Sequence, residues 1–164
     1  MALEFTLPTV SSFIMAIVLL CAYSWMDLKD RRVANRIVLI GGIVGFGLVM
    51  VTGHIIERSI LHLTAVTFMF LISYLMFRLN ALGGADVKSL ITVAIISPGI
   101  EFATWDNPVF EAVIGAGMGL FLMLLLGFVY WKSTSKPDSD VRRATPLIPM
   151  LLIAYLFVQL LALI

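Results

Sequence analysis

The stretch VFEAVIGAGMGLFLMLLLGFVYW, residues 109–131, is apolar almost from end to end. A helix needs roughly 17 to 25 mainly apolar residues to cross the hydrocarbon core of a bilayer, and this run meets that length. It closes on Tyr130 and Trp131, aromatic residues that settle at the membrane–water boundary. The rest of the chain repeats the pattern, with apolar runs at residues 8–26, 36–53, 59–78, 87–105 and 146–164. Six spans leave no room for a soluble module. The chain therefore reads as one domain, residues 1–164: an all-α polytopic membrane protein, a bundle of six transmembrane helices. The run 87–105 stands apart, because Pro98 and Gly99 interrupt it. It predicts a short helix followed by an irregular or re-entrant piece, which is tolerated at membrane depth only where protein or water covers the backbone.

Composition agrees. Hydrophobic residues make up 61% of the chain and charged ones 13%, with a mean hydropathy of +1.07, whereas soluble domains are about half apolar and about a quarter charged. A net charge of +1 lacks the basic stripe a nucleic-acid partner requires. The single cysteine, Cys21, lies in an apolar run, so it offers neither an intramolecular disulfide nor a cysteine zinc site and reads as a small packing residue. His54 and His62 flank the second loop without companion ligands and read as interfacial histidines, so no metal and no other cofactor is expected. The first run has no basic n-region and no small-residue cleavage site, and reads as a retained span. The glycines of GGIVGFG (41–47) and GAGMG (115–119) have the small-residue spacing of close helix packing.

Orientation follows from lysine and arginine. The first loop holds Lys29, Arg31, Arg32 and Arg36; Arg78 and Lys88 flank the third; Lys132, Lys136, Arg142 and Arg143 occupy the fifth. Only Arg58 falls on the other side. Both termini are expected outside, with loops 1, 3 and 5 in the cytoplasm. The polar stretch KSTSKPDSDVRR (132–143) reads as a flexible cytoplasmic loop.

An ionisable residue inside a membrane needs a reason, whereas one in a loop does not. Glu4, Glu57, Glu101, Asp106, Asp138 and Asp140 read as solvated loop residues. Two aspartates remain. Asp27 ends the first span, where a negative charge meets the unfavourable end of the helix dipole. Asp86 opens the fourth, behind Gly83 and Gly84, where an N-cap aspartate on a glycine turn is one reading. The topology supplies another, since both acids fall at the same membrane face. Two neighbouring carboxylates share a proton, because like charges a few ångströms apart cannot both ionise. One can then activate water while the other polarises a scissile carbonyl. Gly83 and Gly84, lacking side chains, would let a substrate backbone approach.

Together these segments resemble the type IV prepilin peptidase family, membrane aspartic proteases with a GxGD-type motif. DLKDRRVAN (27–35) is similar to the family's aspartate, basic cluster and Ile-Pro-Asn element, with Val33, Ala34 and Asn35 in the last three places. GGADVK (83–88) is similar to G-x-G-D-x-K, with Gly83, Asp86 and Lys88 matching. Ala85 replaces the second glycine, which resembles archaeal members that process preflagellins and pilins. ATPLIPMLLIAYL (144–156) is similar to the proline-containing start of the family's last helix. The resemblance implies a peptidase with Asp27 and Asp86 as catalytic residues, supported by Gly83, Gly84 and Lys88, acting at the cytoplasmic face of the cell membrane. Its partners would be pilin-like or archaellin precursors with a basic leader and a hydrophobic helix, besides membrane lipids. The extra cytoplasmic domain and paired cysteines of the N-methylating bacterial members are not found here, so cleavage without N-methylation is expected. Lys88 could meet lipid phosphate, Asp30 or the acid pair; Asn35 could cap the second helix; Asp30 is a candidate contact for the leader. Two other readings stay open: a presenilin-like intramembrane protease, which wants its acids deeper in the helices, and a small transporter that binds a cation between the two acids.

Overall fold

Thr6 starts the first helix. Its hydroxyl accepts from the Thr9 N–H while Thr9 Oγ1 accepts from the Thr6 N–H, a reciprocal cap, and Pro8 sits in the first turn, where a missing donor is harmless. From there α1 (Leu7–Asp30) runs 24 residues to Arg31. Arg31 adopts a left-handed backbone (φ 53°) that brings its N–H onto Asp27 O at 3.1 Å. The computed structural model describes residues 2, 3, 5–31, 33–134 and 145–161. Over these the chain continues as α2 (Asn35–Val51), the single turn α3 (His54–Glu57), α4 (Ser59–Arg78), α5 (Gly84–Ile96), α6 (Pro108–Thr134) and α7 (Leu147–Leu160). Apart from helices, the described residues hold one antiparallel pair of two-residue strands, β1 (Ala2–Leu3) and β2 (Ala103–Thr104).

The six long helices fall on the six apolar runs, and the protein is all-α. Three of them, α1, α4 and α6, are long and apolar enough to cross a bilayer, at 24, 20 and 27 residues; α2 and α7 are shorter apolar helices. Leu7, Leu39, Ile43, Leu63, Phe121 and Phe157 face outward. In water such a surface would drive association, whereas in a membrane it meets lipid. The molecule is a membrane protein.

Helix α5 packs against α1, α2, α4 and α7. Its Leu90 and Ala94 belong to the main buried apolar cluster together with Leu20, Ala65, Met123 and Leu151. Small residues bring the backbones close: a Cβ on Gly41 would overlap the Tyr23 hydroxyl, and one on Gly45 would overlap Ile96. A Cβ on Gly115 would only touch the Gly99 backbone at 3.4 Å, and Gly47 and Gly119 have open space around them, so the small-residue pattern is only partly a packing seam.

As Pro98 and Gly99 predict, the fourth run breaks. α5 ends at Ile96 after 13 residues, since a proline two residues on cannot donate to the helical ladder. Residues 97–101 then run as irregular backbone, and all are buried. Side chains from five helices hold this segment. Ser97 Oγ bonds the Tyr155 hydroxyl (2.8 Å); Gln159 donates to Gly99 O (3.0 Å) and accepts from the Glu101 N–H (2.8 Å). The Glu101 carboxylate meets His54 Nε2 at 3.0 Å and Ser12 Oγ at 3.2 Å, and His54 Nδ1 meets His62 Nε2 at 2.8 Å. Glu111, from α6, accepts from the backbone N–H groups of Trp105 and Ile100 and lies 4.0 Å from Arg58.

These contacts correct two expectations. His54 and His62 are not interfacial but buried, and Glu101, 1% exposed, is not a solvated loop residue. Buried polar groups need partners, and here they crowd against one another, although His54 Nε2, Glu101 Oε2 and Glu111 Oε1 lie near their neighbours without making a hydrogen bond. At the other end of the bundle, residues 132–134 of the expected loop 132–143 continue α6, and 135–143 lie outside the described residues.

Candidate active site

The ends of the bundle opposite this polar cluster bring Asp27 and Asp86 to the same side. Asp27 sits in the last turn of α1, half-buried. Its own helix dipole opposes it, but a second helix does not. The backbone N–H of Ile148, in the first turn of α7, hydrogen-bonds the Asp27 carboxylate. Because α7 begins at Pro146 with no side-chain cap of its own, Asp27 supplies one from another helix, where a negative charge is favoured. Capping across helices is thus a role for Asp27 that its position in α1 alone does not show. Arg31 lies close enough to act on the same charge. Oδ2 of Asp27 is buried and makes no hydrogen bond, a costly state for a carboxylate oxygen.

Asp86 is the third residue of α5 and not its N-cap, which is Gly83. Asp86 Oδ2 accepts from the Gly83 N–H at 3.0 Å, closing the carboxylate half of a capping box. This geometry explains Gly83: a Cβ there would stand 2.9 Å from Asp86 Oδ2. Gly84 has no such constraint, its nearest neighbour being Phe77 at 3.9 Å. Nor do the glycines form the turn, since Gly83 has φ −78°. The chain reverses at Asn80, whose φ of 57° is left-handed. Asn80 N–H bonds Phe77 O and Ala81 N–H bonds Met76 O, a Schellman ending of α4.

The two acids feel each other. Asp86 lies one residue ahead of the apolar run 87–105, and burial pushes its carboxyl up to about 6; the Gly83 N–H pulls it down, and the charge of Asp27 raises it further. Beside the acids, Tyr23 of α1, Val33, Val38 of α2 and Ile148 of α7 form an apolar cluster, onto which Met26 and Ala85 pack. The Ala85 methyl thus fills space that a glycine would leave empty. Asp86 also borders an open cleft of about 480 Å³ with Asn80, Leu82, Gly83, Phe128 and Trp131 in its wall. Asp27 is not part of that wall.

Lys88 Nζ donates to Asn35 Oδ1 at 2.6 Å. Asn35 therefore does not cap α2, where Ala34 holds the N-cap place, but ties α2 to α5. Ala34 has φ −64°, the angle a proline ring imposes, so the turn keeps the shape that proline would give it. Asp30, the last residue of α1, is exposed. The sequence reading overlooked Glu111, buried inside the run 109–131, and the buried Gln159 in the last run; polar side chains inside apolar runs were the available signal. His62, His54 and Glu101 stand in a row, the two rings hydrogen-bonded and His54 Nε2 3.0 Å from Glu101, and among the described residues no three His, Cys, Asp or Glu side chains are placed to hold a metal ion.

No curated protein and no solved structure matches the chain. The model of the type IV leader peptidase family, however, matches residues 13–163, a span that contains both aspartates, the Asn35–Lys88 tie and nearly the whole of the six long helices. The chain therefore belongs to the type IV leader peptidase family, a family of peptidases.

Proposed function

We propose that this peptidase is a membrane aspartic endopeptidase that removes the short basic class III leader from pilin-like or archaellin precursors, without N-methylating the new terminus. In this reading the six apolar runs each cross the membrane, the fourth as α5 plus the irregular segment that follows it, both termini lie outside, residues 1–164 act as one domain, and cleavage occurs at the cytoplasmic face. The observation that carries the reading is the meeting of Asp27, in the last turn of α1, and the half-buried Asp86, in the first turn of α5, at one end of the bundle, near enough for the charge of one to act on the other. Acids that perturb one another in this way can hold one proton between them.

The chemistry follows from unlike surroundings. Asp86, raised to about 6, is the acid that hydrogen-bonds the scissile carbonyl oxygen. Asp27 accepts from the Ile148 N–H and stands near the Arg31 guanidinium, the contacts a carboxylate makes. Asp27 is the base that takes a proton from water as the water oxygen attacks the carbonyl carbon. Gly83 seats the Asp86 carboxylate, Gly84 leaves room beside it for a substrate backbone, Lys88 ties α5 to α2 next to the pair, and Asp30 stands where a basic leader would pass. The cleft beside Asp86 takes the apolar residues that follow the cut. Both acids lie at helix ends and not mid-helix, which favours cleavage next to the membrane over cleavage within it.

Co-expression with a pilin-like precursor tests this. Asp27→Asn and Asp86→Asn should each abolish cleavage, since loss of one member of a working pair costs orders of magnitude. Normal cleavage by either variant at wild-type abundance would sink the acid-pair mechanism. Cation flux abolished by the same changes, with no cleavage in the wild type, would favour a transporter.

A further inference from the structure

Helices α1 and α5, which carry Asp27 and Asp86, are tied together at their opposite ends. Ser12 of α1 is wholly buried. Its hydroxyl bonds Ile96 O, the last carbonyl of α5, and also reaches Glu101 Oε1 at 3.2 Å. Glu101 is held in turn: His54 Nε2 stands 3.0 Å from its other oxygen, His62 backs His54 at 2.8 Å, and Gln159 accepts from its N–H at 2.8 Å. The bridge therefore does not stand alone. It is braced from α3, α4 and α7, in a region where a broken polar contact leaves a buried group unpaired.

We infer that Ser12 and Glu101 are positioning residues for the peptidase site: their buried bridge between α1 and α5 sets the spacing of Asp27 and Asp86. This rests on the acid-pair reading. The leverage comes from helix geometry. At about 1.5 Å per residue, Asp27 lies ~22 Å beyond Ser12 along α1, and Asp86 lies ~15 Å from Ile96 along α5. A tilt of about 5° at the bridge would move a carboxylate at such distances by between about 1 and 2 Å. A displacement of about 1 Å can cost on the order of 10²-fold in rate. The acids share a proton only at short range, so their titration reports the same displacement.

The test uses the full-length enzyme in membranes, with Ser12→Ala and Glu101→Gln as variants and Val49→Ala as a control. Val49 is buried in α2 outside the bridge, so Val49→Ala destabilises by cavity formation alone. Two quantities are read: kcat and KM on a precursor peptide, and the titration midpoint of Asp86 followed by carboxyl infrared absorption. Bridge variants should lose about 10- to 100-fold in kcat with KM changed less than about threefold. Their Asp86 midpoint should fall, as the charge of Asp27 recedes. Val49→Ala should lower the melting temperature and move neither readout. If Glu101→Gln fails to accumulate, Ser12→Ala, which removes one hydroxyl, decides by the same measurements. Unchanged kcat and Asp86 midpoint in a folded bridge variant overturn the inference, as would equal changes in Val49→Ala. Should Asp27→Asn or Asp86→Asn prove active, the acid-pair reading fails instead; the midpoint needs no activity and still reports on the bridge.

Discussion

Lys88 Nζ donates to Asn35 Oδ1 across 2.6 Å, joining the segment that follows Asp86 to the one that follows Asp27. Two stretches more than fifty residues apart in sequence thus close on one another beside the acids. The contact is exposed, and an exposed polar pair with one charge contributes little, about 1 kcal/mol or less. A double-mutant cycle with Lys88→Met and Asn35→Leu should return a coupling of that size in unfolding. Since ~1 kcal/mol is about a fivefold effect on rate, cleavage should fall by no more than that. A hundredfold loss in Lys88→Met alone would mean that Lys88 acts on the substrate or the acids directly.

Gly83 and Gly84 should part company on substitution. A methyl at 83 would press on Asp86 Oδ2 at 2.9 Å, while one at 84 finds ordinary contact. Gly83→Ala must push the Asp86 carboxylate off its N–H, so cleavage should drop by about 10- to 100-fold. Gly84→Ala should cleave within about twofold of wild type. Precursor processing by the two variants, compared at equal abundance, checks this; equal impairment would show that both glycines serve substrate approach and not the seat of Asp86.

Much of this architecture is legible in the sequence because lipid imposes a coarse rule. Each long helix falls on its apolar run, and Pro98 marks where α5 stops. What is not legible depends on contacts between distant segments. Glu101 lies past the Pro98–Gly99 break of its run and His54 just beyond the second run, positions read as loop or interface, and the folding back of residues 97–101 buries them. The N-cap reading of Asp86 shifts by three residues, because α5 starts at Gly84 and Asp86 reaches back from its third position to the Gly83 N–H. The α7 end that Asp27 caps lies 121 positions further along the chain, at Ile148, beyond the reach of any local pattern.

The protonation of Asp86 sets a pH dependence with a definite sign. Its carboxyl titrates near 6 in the folded protein against an ordinary value of 3.8. As the group that must be protonated, it should give peptidase activity an alkaline limb with its midpoint near pH 6. Asp27→Asn removes the negative charge that raises Asp86, so the midpoint read by infrared should move down in that variant. Stability follows the same linkage. A folded-state value above the unfolded one contributes stability fully below about pH 4 and loses it as pH rises through about 6. Asp86→Asn should flatten that part of the stability profile. A wild-type midpoint near about 4, unmoved by Asp27→Asn, would contradict the coupling.

Asp27 carries two duties that substitutions can separate. It caps α7 through the Ile148 N–H, and it supplies the charge felt by Asp86. The Asp27→Asn side chain would keep an oxygen for the N–H but lose the charge, whereas Asp27→Ala loses both. Asp27→Ala should therefore lower unfolding stability by about 1 kcal/mol, the usual cost of a missing cap, and Asp27→Asn by only a few tenths. Both should be inactive in precursor cleavage, because neither can take a proton from water. Thermal unfolding in detergent, set beside cleavage by the same preparations, makes the comparison. A stable but inactive Asp27→Asn assigns the lost activity to chemistry; equal destabilisation of the two variants would mean that the charge, and not the cap, holds α7 in place.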